Sequence, residues 1–202
     1  MATNKTQLIS LDIETSTSDV NTGVLLSIAM VSFNTGDRIE KNIRHRYLSL
    51  TPEAMRVNQI DTLMLDSDTR DPLEQAEEQL MWWLDRNTSP ELSLSRLQPI
   101  PVGMNVGSFD MQFVRKYLPQ ISKKFGYRSL DLNALFFAEA LKENEDFTKL
   151  KTRYYEPAME FASKVVPHLK KHNPLFDCYI NCSLLSQVTK VVPKWMSEVS
   201  IK

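Results

Sequence analysis

Apolar and polar positions change rhythm along the chain, and the changes divide it into elements. Leu8-Ile9-Ser10-Leu11-Asp12-Ile13-Glu14 is a short apolar run closed by acidic residues, and Val24 to Phe33 is a second one. Runs this short and this apolar read as buried strands. Asn34-Thr35-Gly36-Asp37 is a turn signal, and from Arg38 to Tyr47 the pattern alternates, with Ile39, Ile43 and Tyr47 on one face and charged or amide residues on the other. Alternation predicts a half-exposed strand pairing back on the second, so the chain opens as a three-strand antiparallel meander.

The rhythm beyond it is mixed. Residues 52 to 68 fit short helix and loop. Asp71-Pro72 predicts a helix start, Asp71 as cap and Pro72 in the first helical position, followed by Leu73, Ala76, Leu80 and Trp83 or Leu84 at helical spacing. Trp82 and Trp83 are adjacent, so one of them is expected in the core and the other over a seam. Residues 87 to 99 read as a surface loop, Ile100 to Met104 as a strand containing Pro101, and Phe109 to Leu118 as a helix. Ser129 to Leu132 predicts a strand running into a helix over Ala134 to Leu141, with Asp131 as its cap. Residues 142 to 171 are charged and partly helical. A last helix spans about Pro174 to Val191, with Phe176, Ile180, Leu184, Val188 and Val191 on one stripe. Strands first and then strands alternating with helices predict an α/β fold built on a mixed sheet.

Composition narrows the class only slightly. At 202 residues, 42% hydrophobic and 24% charged, the expectation is one domain over residues 1–202 with a sizeable core. No apolar stretch reaches membrane-spanning length, and Met1-Ala2-Thr3-Asn4-Lys5 lacks the apolar region of a signal peptide, so a cytoplasmic protein with no membrane partner is expected. Cys178 and Cys182, four apart on one helix, suit neither a disulfide framework nor a zinc knuckle and read as reduced, packed thiols. A net charge of −1 gives no global signature of nucleic-acid binding. No Gly-x-Ser-x-Gly elbow is present, which argues against a serine hydrolase.

The candidate chemistry lies where the elements end. Side chains two apart on a strand share a face, so Asp12 and Glu14 project together from the first strand. Two carboxylates that close beside a core are costly unless a cation lies between them, and hard oxygen donors point to magnesium or manganese. In Asn105-Val106-Gly107-Ser108-Phe109-Asp110, Ser108 is a candidate helix cap and Asp110 falls in the first turn, at the positive end of the helix dipole. In His172-Asn173-Pro174-Leu175-Phe176-Asp177, Asn173 is a candidate cap, Pro174 the first helical residue, and Asp177 lies one turn in, on the side of His172.

Asp12-x-Glu14, Asn105-x3-Phe109-Asp110 and His172-x4-Asp177, in this order, resemble the three motifs of the DEDD 3′–5′ exonucleases, and the histidine resembles the DEDDh branch of the DnaQ-like, ribonuclease-H-like superfamily. The resemblance covers residues 12 to 177. It implies a ribonuclease-H-like fold, two divalent cations, Mg2+ or Mn2+, and hydrolysis of single-stranded DNA or RNA from the 3′ end to nucleoside 5′-monophosphates. By the same resemblance Asp12 bridges both metals, Glu14 and Asp177 complete one site, Asp110 supports the other, His172 is the general base, and Thr15, Asn105 and Phe109 shape the substrate pocket. Some relatives are homodimers, and that state stays open for this chain.

The chain departs from the family pattern in two places. Thr15-Ser16-Thr17-Ser18-Asp19 follows Glu14 where relatives often carry glycine and a bulky residue, which leaves Val24 or Leu25 as candidate pocket walls. Pro174 and Cys178 stand where small residues are common. His45 and His168 read as structural or solvated. Lys123, Lys124, Lys149, Lys151, Arg153, Lys170 and Lys171 are candidate phosphate contacts or a solvated charged face. The rival to an exonuclease is an inactive member of the same fold acting as a nucleic-acid-binding or scaffold module.

Overall fold

A computed structural model describes residues 7–46, 48, 50–58, 65, 69–88 and 98–199. Tyr47 and the greater part of the expected loop at 87–99 lie outside the described residues, as do 59–64 and 66–68 of the ambiguous stretch.

The first three strands are those expected: β1 Leu8–Thr15, β2 Leu25–Ser32 and β3 Arg38–Arg44, each antiparallel to the next. Gly36, at φ 77°, makes the turn between β2 and β3, and its bare Cα seats the indole of Trp195. After α1 (Pro52–Asn58), Asp71–Pro72 forms a two-residue strand, β4, parallel to β3. The expected cap at Asp71 is therefore corrected. Pro72 precedes α2 (Leu73–Asn87) without a side-chain cap bond, and the Asp71 carboxylate accepts from Lys41 Nζ at 3.0 Å. Asp71–Pro72 is spent on the strand, so the helix starts later than expected and Pro72 stands at the cap position.

β5 (Ile100–Gly103) lies parallel to β1 and carries Pro101 within it. α3 (Asp110–Tyr117) and α4 (Pro119–Phe125) follow, then β6 (Leu130–Asp131), parallel to β5. α5 (Leu132–Glu143) is capped as expected by the Asp131 carboxylate, which accepts from Asn133 N–H at 2.9 Å. α6 (Phe147–Val165), α7 (Pro174–Thr189) and α8 (Lys194–Val199) complete the chain. Among the described residues the sheet has six strands in the order β4-β3-β2-β1-β5-β6, antiparallel on one side of β1 and parallel on the other.

The alternation along β1 sorts its side chains between two cores. Ile9, Leu11 and Ile13 pack with Leu80, Leu84, Phe113 and Ile121, under α2, α3 and α4. The other face of the sheet, with Ala29, Val31 and Val102, is covered by α5, α6 and α7. α7 lies in the middle of this second layer and is buried on all sides from Pro174 to Ser186 except at Asp177. The single expected stripe is thus too narrow, because neighbours enclose the helix. Its helical residues end at Thr189, and Val191 is exposed. Trp83 is the buried one of the two tryptophans, while Trp82 is 60% exposed instead of covering a seam. Both cysteines are buried and unpaired, as expected. No helix among the described residues is long and apolar enough to cross a membrane.

Candidate metal centre and nucleic-acid site

The site forms where the sheet changes from antiparallel to parallel pairing. β5 accompanies β1 only as far as Ser10 and Val102, so beyond Ser10 one edge of β1 is open. Open edges at such a switch point are where α/β sheets hold ligands. On the other edge the register with β2 slips between Glu14 and Thr15, a local bulge immediately after the acidic pair. Ser10, Asp12 and Glu14 share the face of β1 toward α7, and Ser10 Oγ anchors the two elements by donating to Cys178 O at 2.9 Å.

α7 delivers the second group. Asn173 is the cap expected, its Oδ1 accepting from Leu175 N–H at 3.1 Å and Phe176 N–H at 3.2 Å. Its Nδ2 donates to Glu40 Oε1 at 2.9 Å, which ties the loop before α7 to β3. His172 stands at φ 67°, a left-handed conformation that leads the chain into the cap. Its backbone N–H donates to Asp177 Oδ2 at 3.0 Å.

Glu14, His172 and Asp177 each offer one ligand atom, all within 4.8 Å of one another. Asp12 lines the same cavity, of about 350 Å³, together with Thr15, Phe109 and the cluster of three. Asp110 lies behind this lining, only 4% exposed. Its carboxylate accepts from its own backbone N–H and from that of Ile13 on the open stretch of β1. Ser108 does not cap α3 as expected. Its hydroxyl donates back to Asn105 O at 3.1 Å, and Phe109 occupies the cap position with no side-chain bond.

Asn105 is set apart from the cavity lining. It sits at φ 58°, donates its backbone N–H to Asp131 Oδ1 at 3.1 Å, and accepts from Asn133 Nδ2 at 2.8 Å. Val24 and Leu25 are not pocket walls either, since Leu25 is buried in the core under α2 and neither lines the cavity. The walls that the sequence did not single out are Ser18, Thr51, Glu53 and Ala54. Thr51 N–H donates to Ser16 O at 3.0 Å, which docks the start of α1 against the serine- and threonine-rich loop after β1. A contact over 35 residues has no local signature.

The electrostatics describe four acidic side chains that burial and mutual repulsion push toward their protonated forms. Burial raises Asp12 well above the ordinary carboxylate range, and the neighbouring charges of Asp110, Asp177 and Glu14 add to it. Burial, with Asp177 and Asp110, brings Glu14 to about 8. Burial brings Asp110 to about 8 against the two backbone hydrogen bonds. Asp177 reaches about 6, burial again leading, with the His172 amide and the Lys171 charge pulling it down. Asp177 Oδ1 is buried and has no hydrogen-bond partner among the described residues. An orphaned carboxylate oxygen of this kind calls for an occupant. Oxygen donors with one imidazole fit a divalent cation, which would restore the charged forms.

His45 is structural as expected, its Nε2 lying 2.6 Å from Leu25 O, and His168 is exposed. One neighbour of the carboxyl cluster escaped the sequence reading. Tyr155 of α6 is held protonated, its hydroxyl raised to about 12 by burial and then by the charges of Asp177 and Asp12.

No protein-family model matches the chain, and no curated protein matches its sequence. Solved structures do match its fold. The zinc-bound complex of E. coli exonuclease I with single-stranded DNA superposes with a TM-score of 0.65 at 15% identity, over 96% of this chain and 42% of that one. Cell-death related nuclease 4 (CRN-4) gives 0.64 at 15% identity, over 91% of this chain and 64% of that one. Exonuclease I from Methylocaldum szegediense gives 0.61 at 15% identity, over 97% and 43%. The chain therefore spans under half of the exonuclease I chains and 64% of CRN-4. The mixed sheet and its helical layers are the fold shared with these nucleases.

Proposed function

We propose that this chain is a divalent-metal-dependent 3′–5′ exonuclease that releases nucleoside 5′-monophosphates from single-stranded DNA or RNA. The observation that carries the reading is the convergence of Glu14, His172 and Asp177 within 4.8 Å, in a cavity also lined by Asp12. A purely structural role gives no reason to bury uncompensated carboxylates beside an imidazole.

Asp12, Glu14 and Asp177 would hold one magnesium or manganese ion, and Asp12 with Asp110 would support a second. Bound there, divalent cations would supply water acidic enough to give a nucleophile near neutral pH and charge stabilisation at the leaving 3′ oxygen. His172 takes the proton of the attacking water on its imidazole. Burial and then the Lys171 charge hold it below its ordinary value, so the ring is neutral and ready to accept at pH 7 to 8, about where such a base is most useful. The amide of His172, bonded to Asp177, keeps that ring beside the carboxylate cluster. Phe109 and Thr15 line the cavity and accommodate the terminal nucleotide.

The test is digestion of matched 5′-labelled DNA and RNA single strands, with magnesium, manganese or EDTA, beside the Asp12→Ala protein. The expected result is a ladder shortening from the 3′ end, lost in EDTA and in the variant. Full magnesium-dependent activity of Asp12→Ala would overturn the mechanism. Binding without cleavage by the unaltered protein would favour the scaffold module.

A further inference from the structure

α6 carries a second stripe, beside its buried face, whose aromatic residues pack against the core on one side only. Leu150, Tyr154, Ala158 and Ala162 form its buried face, while Phe147, Lys151 and Tyr155 repeat every four residues along the flank and are only half-buried. Eight residues of helix separate the ends of this flank, about 12 Å.

At one end, Lys171, the neighbour of His172, lies over the Tyr155 ring at 5.5 Å. At the other, Lys151 Nζ lies 5.9 Å from the centre of the Phe147 ring. Phe137 of α5 stacks on Phe147 at 3.9 Å with planes 9° apart, yet remains 54% exposed. An exposed phenylalanine so fixed offers a flat apolar face to solvent.

The cations of the stripe are not committed elsewhere. Arg153 on the same helix is claimed by Glu143 at 2.5 Å and Glu145 at 3.1 Å, Lys124 by Asp85 at 2.6 Å, and Lys164 by Glu160 at 2.8 Å. Among the described ion pairs none involves Lys151 or Lys171. Lys151 donates instead to the neutral amide of Asn133 at 3.4 Å. Lys123, Lys149 and Lys170 are likewise outside the described ion pairs, but Lys151 and Lys171 are the basic candidates that lie over the aromatic rings of this flank.

We infer that Phe137, Phe147, Lys151, Tyr155 and Lys171 form the track along which a single strand lies upstream of its 3′ terminus. This rests on the exonuclease reading and extends it from the terminal nucleotide to the strand. Lys171 and Lys151 meet successive phosphates, Tyr155 donates its hydroxyl near the terminal one, and a base stacks on the open face of Phe137. Alternating positive charge and aromatic faces suit single strands of either sugar, because every base has a flat face and every linkage a charge. At about 3.4 Å per stacked nucleotide, the flank accommodates roughly three to four nucleotides.

The experiment compares labelled thymidine and uridine strands of about twelve nucleotides, long enough to occupy the track, with a thymidine dinucleotide. Phe137→Ala and Lys151→Gln are the variants, and Trp82→Ala, exposed on α2, is the control. Turnover is followed with magnesium, and binding by fluorescence anisotropy in EDTA. Phe137→Ala is expected to weaken strand binding about tenfold. Lys151→Gln is expected to reduce the slope of log affinity on log salt by about 0.7, the share of one phosphate contact. In both, the preference for the strand over the dinucleotide shrinks, while Trp82→Ala retains it. Variants that bind and cleave the strand as the unaltered protein does would overturn the track and leave the exonuclease reading standing. Strand binding lost in the variants of a protein that cleaves nothing would support the surface and sink the hydrolysis.

Discussion

The backbone amide of His172 donates to the side-chain Oδ2 of Asp177 at 3.0 Å, so the loop that carries the imidazole is fastened to the carboxylate it serves. The bond needs the left-handed backbone of His172, at φ 67°, which asparagine tolerates and β-branched residues do not. His172→Asn is therefore expected to melt close to the unaltered protein while kcat falls by about 10²- to 10⁴-fold, the usual share of a general base. His172→Val should also lose about 1–2 kcal/mol of stability. Thermal melting beside single-turnover kinetics checks both. Equal activity in His172→Asn would remove the imidazole from the mechanism.

The carboxyl cluster gives a pH dependence of unusual sign. Glu14 and Asp110 are raised to about 8 and Asp177 to about 6 in the folded chain, whereas unfolded carboxyls titrate near 4. The folded state then holds protons that the unfolded state has released, so stability is full below about pH 4 and falls as pH rises toward about 8. At this site His172, lowered on folding, acts in the opposite sense, but as one group against four, since Asp12 is raised as well. Urea unfolding in EDTA should show midpoints that decline from mildly acidic to mildly alkaline pH. Millimolar magnesium should remove the decline by binding the charged carboxylates. A midpoint that rises with pH in EDTA would contradict the cluster described.

Gly103 ends β5 beside the site, and a methyl group there would lie 2.8 Å from Leu11 O and 3.2 Å from Val106 Cβ. The clash is with the backbone of β1 one residue before Asp12, so it cannot be relieved by a rotamer change. Gly103→Ala is expected to cost about 1–3 kcal/mol and to lower kcat by shifting the strand that carries Asp12. Denaturant unfolding and kinetics on a labelled strand test it, and a fully active, equally stable variant would show that β1 has room to move.

Glu40 holds Asn173 from across the sheet at 2.9 Å. Glu40→Gln keeps an oxygen acceptor and should retain activity. Glu40→Ala frees the loop, with a stability loss of about 1 kcal/mol and a fall in kcat at nearly constant KM. If glutamine fails as badly as alanine, charge rather than positioning is the contribution of Glu40.

Much of the site was legible because its residues sit where local rules operate. Asp12 and Glu14 share a face by strand alternation alone, and Asn173-Pro174 announces a helix start with His172 outside and Asp177 inside. Legibility failed where a distant partner overrode a local preference. Asp71 has the chemistry of a cap, but pairing of Asp71–Pro72 with β3 delays the helix start and leaves Pro72 at the cap position. Ser108 also has cap chemistry, but its hydroxyl closes the turn on Asn105. Thr51, Glu53 and Ala54 reach the cavity through a contact with Ser16, and Tyr155 comes within the field of Asp177 and Asp12 through the packing of α6 on the core. The stripe on α7 was underestimated because periodicity records one buried face and cannot register a helix enclosed all round.

That enclosure sets how this molecule can change over generations. A helix that is both the innermost beam of one layer and the bearer of Asp177 has no spare surface on which to drift. Most cores are repacked by trial, one methyl group at a time, with the active site a bystander. Here an altered volume at Cys178 or Cys182 reaches the proposed cation site within a turn or so of helix. Robustness and the proposed chemistry are inherited together through α7, and variation is left to the outer helices and loops.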